Sequence, residues 1–80
     1  MMKVTQIASN TPELTLDNGI RVLFSYSTPV ACELSSGYYK TAKKWSKTTS
    51  RHINLWLNGN NAIEADQGLF NDIVEGSFIQ

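Results

Sequence analysis

Eighty residues supply enough apolar surface for one small domain but not for two, because a divided core would leave each half mostly wetted. Hydrophobic residues make up 41% and charged residues 18%, with five glycines and two prolines, which excludes a disordered or low-complexity chain. Formal net charge is zero, whereas dedicated nucleic-acid-binding domains are strongly basic.

Val4 to Ala8 reads as a first strand, and Ser9-Asn10-Thr11-Pro12 as a turn cluster. Glu13 to Leu16 alternates as a half-buried strand does, and Asp17-Asn18-Gly19 is the clearest hairpin turn in the chain. The returning strand, Ile20 to Tyr26, places Ile20, Val22, Phe24 and Tyr26 on one face and Arg21, Leu23 and Ser25 on the other. Ser27-Thr28-Pro29 breaks it. Val30, Cys32 and Leu34 then alternate with Ala31 and Glu33, and Ser35-Ser36-Gly37 turns the chain into Tyr38-Tyr39-Lys40. Thr41 to Lys47 is a loop or a short edge strand. Thr48-Thr49-Ser50 starts a helix in which Ile53, Trp56 and Leu57 form the apolar stripe, and Asn58-Gly59-Asn60 ends it. Ala62 to Ala65 is a connector or a brief strand. Asp66 caps a second helix with Leu69, Phe70, Ile73 and Val74 as its buried stripe and Gly76 as its terminator; Phe78 and Ile79 would tuck back under the sheet.

These elements predict an α+β fold: a small antiparallel sheet of four to five strands in a meander, followed by two short helices packing on one face. The chain is expected to form a single domain, with residues 1–47 mainly β, 48–76 two helices and 77–80 a tail.

The inventory argues against an enzyme. Cys32 and His52 are the only thiol and imidazole; Cys32 sits in a core pattern, and His52 has no Cys, Asp or Glu at ligand spacing. No serine lies in a nucleophile elbow, and no phosphate-binding or dinucleotide loop is present. Catalytic residues, cofactors and metal ligands are therefore expected to be absent. A single cysteine precludes an internal disulfide, no apolar run exceeds three residues, and Met1-Met2-Lys3 precedes no apolar signal core. The expected home is the cytoplasm, with no membrane contact.

Charge is unevenly spread. Residues 1–51 hold all seven basic groups against three acids; residues 52–80 hold four acids and no Lys or Arg. Five of the basic groups fall between positions 40 and 51, interleaved with aromatic rings. The candidate binding residues are Tyr39, Lys40, Lys43, Lys44, Trp45, Lys47 and Arg51. Cations of this kind follow phosphates while rings stack on bases, so single-stranded nucleic acid or phosphate is one expected ligand. The same cations, and the acidic C-terminal segment with Glu64, Asp66, Asp72 and Glu75, would also dock a complementary protein. That second expectation demands least of the residues present. The dipolar layout would further allow self-association as a homodimer. A bland alternative stands beside both: lysines in a surface loop that only keep the protein soluble.

Ser25-Tyr26-Ser27-Thr28-Pro29-Val30-Ala31, Tyr39-Lys40-Thr41-Ala42-Lys43-Lys44-Trp45-Ser46 and Thr48 to Leu57 together resemble a family of small uncharacterised bacteriophage proteins, over roughly residues 20–57. The resemblance implies no activity. It implies an infected bacterial cytoplasm, where such a protein would act as an accessory factor by binding a host or viral macromolecule, for instance to inhibit a host defence or metabolic complex.

Overall fold

The computed structural model describes residues 3–8 and 11–75. Strands β1 (Lys3–Ala8), β2 (Thr11–Thr15), β3 (Arg21–Ser25), β4 (Thr28–Leu34) and β5 (Gly37–Thr41) run as an antiparallel meander. Helix α1 (Lys47–Leu57), strand β6 (Ala62–Ala65) and helix α2 (Gln67–Glu75) follow. β6 joins the sheet beside β5 and parallel to it, in the order β1-β2-β3-β4-β5-β6.

Two parts of the expected architecture are corrected. Among the described residues the sheet has six strands and mixed pairing, not four to five antiparallel strands. The reason is α1: it carries the chain back along the sheet, and that crossover lets the four residues of β6 pair parallel to β5, which a tight turn does not permit. The two helices also cover opposite faces. On one side Ile53 and Leu57 of α1 pack with Leu23, Val30 and Ala31, flanked by Tyr38, Trp56 and Ala62. On the other, Phe70 and Ile73 of α2 pack with Ile20, Val22 and Cys32. The central strands are accordingly buried on both sides: Val22 and Leu23 are sequence neighbours on opposite faces, and both are fully buried.

The alternation expected for Val30, Cys32 and Leu34 fails at Val30. The β3–β4 register runs Leu23↔Ala31 and then Phe24↔Pro29, leaving Val30 as the extra residue of a bulge that belongs to the α1-side core. Tyr26 lies in the two-residue turn between β3 and β4, with positive φ and its ring exposed, and so does not continue the face of Ile20, Val22 and Phe24. Asp17-Asn18-Gly19 does turn β2 into β3, with Gly19 at φ 88° and its N–H donating to the Leu16 carbonyl at 3.0 Å. Thr11 and Pro12 belong to β2; Ser9, Asn10, Gly76, Phe78 and Ile79 lie outside the described residues.

Candidate cationic groove

β5 ends at Thr41, residues 42–46 cross to the start of α1, and β6 finishes beside Thr41 because it runs parallel to β5. The carboxyl ends of two parallel strands and the amino end of the intervening helix therefore meet at one edge of the molecule. In open sheets this is where ligands are commonly received, since the loops diverge there and the helix offers unpaired N–H groups. A groove of about 540 Å³ opens at that place. Lys40, Lys43, Lys44, Trp45, Lys47 and Arg51 all line it, so six of the seven residues expected from sequence are brought together. Tyr39 is not. It points to the α2 side, packs against that core and bonds Ser36 Oγ through its hydroxyl at 2.8 Å.

The connecting segment is held by short local bonds. The Ala42 N–H donates to the Ala65 carbonyl at 2.8 Å, extending the β5–β6 pairing, and the Lys43 N–H donates to Thr41 Oγ1 at 3.2 Å. Ser46 is the N-cap of α1, two residues before the Thr48-Thr49-Ser50 start expected from sequence. Its backbone is extended and its hydroxyl oxygen accepts from the Thr49 N–H at 3.1 Å. The first turn of α1 contains no acidic residue, so the positive end of the helix dipole is left uncompensated beside the cations. Below it, Thr49 is buried. Its hydroxyl meets Ser25 Oγ at 2.9 Å, and that oxygen also meets His52 Nδ1 at 2.9 Å. Ser25 is itself buried, so this hydroxyl chain ties β3 to α1 and supports the groove from beneath.

The cations differ sharply from Arg21, the basic residue of the neighbouring strand region. Arg21 is bound to Glu33, lies 3.4 Å from Glu13 and stands 5.9 Å from the centre of the Trp56 ring. Burial alone would work against its charge, but the bond to Glu33 and the fields of Glu13, Glu33 and Tyr38 prevail and hold its pKa above the usual value. Among the described residues, Lys40, Lys43, Lys44, Lys47 and Arg51 have no such partner. Five cations thus face one carboxylate, that of Glu64, which stands beside Lys40 across the β5–β6 pair.

Among the described residues, Trp45 is the one aromatic lining the groove. It is 43% exposed, yet fixed: the Lys43 ammonium lies 4.2 Å from its ring centre, and its Nε1–H donates to Gln67 Oε1 at 3.3 Å. Glu64, which lines the groove, and Gln67, which bonds Trp45, lie outside residues 38–51 and are brought there only by the β6 crossover. Cys32 is fully buried under α2, and burial pushes its thiol up to about 12.

The molecule is thus a small mixed-sheet protein with a β-α-β unit and a cationic groove at its open end. A family model described as "Family of unknown function (DUF8033)" matches residues 2–72, and the chain belongs to that family. No curated protein and no solved structure matches it. No helix among the described residues is long and apolar enough to cross a membrane.

Proposed function

We propose that this is a non-enzymatic binding protein that receives an anionic macromolecule in the groove between the β5–α1 loop, the start of α1 and β6. The supporting observation is the convergence of Lys40, Lys43, Lys44, Lys47 and Arg51 on one concavity without ion-pair partners among the described residues. Surface lysines kept only for solubility gain nothing from converging, since clustered like charges repel one another. Gathering them beside an uncompensated helix N-terminus raises the local potential and favours a polyanion over a neutral partner. If the bacteriophage resemblance holds, the setting is a host cytoplasm and the ligand a host or viral macromolecule.

The test is binding of a panel of polyanions, comprising an oligonucleotide, inorganic polyphosphate and poly-glutamate, at about 50 mM salt, where counterion release contributes most. Saturable binding of at least one, weakened in Lys44→Ala/Lys47→Ala, supports the reading. Absence of binding to all three removes it.

A further inference from the structure

The groove contains a feature that a simple cationic patch does not need: a 43% exposed indole whose N–H donates to Gln67 and whose ring receives the Lys43 ammonium. We infer that its ligand is a single-stranded nucleic acid, and that Trp45 stacks one base on the ring face not covered by Lys43. This rests on the groove reading above and specifies its ligand.

Three observations carry it. First, an exposed tryptophan ordinarily folds back onto neighbouring apolar surface, whereas Trp45 is restrained at its N–H edge by Gln67. Gln67 in turn is held by its own amide N–H on the Pro29 carbonyl at 2.7 Å and by the Thr41 hydroxyl on its Oε1 at 2.8 Å. β4, β5 and α2 therefore cooperate to place the acceptor of the indole N–H. Pre-setting a stacking surface lowers the ordering cost of binding.

Second, the Lys43 ammonium occupies the region over one ring face at 4.2 Å. With the Lys43 ammonium over one face, and 43% of the residue still open to solvent, we take a single base on the other face, not a sandwich, as the fitting arrangement. Lys43, Lys44, Lys47 and Arg51 line the same groove as Trp45, so cations for the phosphates and a ring for a base are offered together.

Third, the cations line a concavity. A duplex is read by an element that projects into its groove, whereas a recess of about 540 Å³ accepts unpaired nucleotides with their bases turned inward. Ser50 and Asn54, which also line the groove, supply donors for phosphate or sugar oxygens. A poly-acidic peptide would satisfy the lysines but has no flat ring to match Trp45.

The experiment measures affinity for oligothymidylate, for base-free inorganic polyphosphate and for poly-glutamate, with wild type, Trp45→Ala and Trp45→Phe, each checked for folding by thermal melting. Oligothymidylate is expected to quench the Trp45 emission, and Trp45→Ala to weaken its binding by roughly 5- to 150-fold. Trp45→Phe should recover most of that loss, and polyphosphate affinity should change less than about twofold, since it offers no base to stack. An equal loss for both ligands in folded Trp45→Ala would make Trp45 a structural residue and overturn the inference. Binding of polyphosphate or poly-glutamate without oligothymidylate would also overturn it while leaving the groove reading intact. Failure of all three ligands would remove both.

Discussion

The side chain of Gln67, the first residue of α2, accepts the Trp45 indole N–H at 3.3 Å and so couples one helix to a loop on the far side of the β6 crossover. The same oxygen accepts the Thr41 hydroxyl, and the amide nitrogen donates to the Pro29 carbonyl. Gln67→Ala would strip the partner from a buried threonine and release the ring. The expected outcome is a loss of about 1–3 kcal/mol in stability, with greater mobility of the Trp45 ring and weaker ligand binding. Urea unfolding, together with fluorescence anisotropy in a Trp56→Phe background, measures both.

Glu13 and Glu33 both face Arg21, but their surroundings differ. Glu13 is almost buried and accepts the Trp56 Nε1–H at 2.7 Å, linking β2 to α1; Glu33 is one-third exposed. Glu13→Ala should therefore cost about 2–3 kcal/mol, because it leaves the Trp56 indole N–H without its acceptor and Arg21 with only one of its two carboxylates. Glu33→Ala should cost about 1 kcal/mol or less, since solvent screens the more exposed pair. Chemical denaturation of the two variants checks the order; equal losses would contradict it.

Among the described residues, Glu64 is the single carboxylate lining the cationic groove. Glu64→Gln removes its repulsion of an incoming anion while keeping the side chain's volume. Affinity for a polyanion at about 50 mM salt is expected to rise roughly two- to fivefold. A fall would show that Glu64 instead orders Lys40 for binding.

The Cys32 thiol has its pKa raised from 9.0 to about 12, because burial disfavours the thiolate. The folded chain thus holds this proton more tightly than the unfolded chain does. The resulting contribution to stability is complete below pH 9 and declines as pH rises through the interval toward 12. In the native protein the thiol should resist an aromatic disulfide reagent at pH 8 and react only as the chain unfolds. Fast labelling of the folded protein would contradict the placement of Cys32 under α2.

What could be read from sequence was whatever local chemistry decides. Asp17-Asn18-Gly19 turns the chain because Gly19 takes positive φ at no steric cost, and Asn58 caps α1 in the left-handed region. Six of the groove residues lie within twelve positions of one another, so the cluster was visible as a segment. Tyr39 was misplaced because strand alternation sends it to the face opposite Lys40. Ala62 to Ala65, read as a connector or a brief strand, is strand β6, but four residues show too little periodicity to reveal its parallel pairing with a strand twenty-odd positions earlier. Opposite-face packing of the helices went unseen for a related reason: Val22 and Leu23 each satisfy an apolar face, and alternation alone does not say which helix covers which. Glu64 reaches the groove, and Gln67 reaches Trp45, only through the completed topology.

The most direct measurement is the salt dependence of oligonucleotide affinity for wild type and for Lys44→Ala/Lys47→Ala. If about four phosphates are neutralised, the logarithm of the association constant should fall with the logarithm of salt at a slope near −3, and the double variant should flatten it by about 1.4. No binding at about 50 mM salt, or a slope that the two substitutions leave unchanged, would contradict the assignment of this groove.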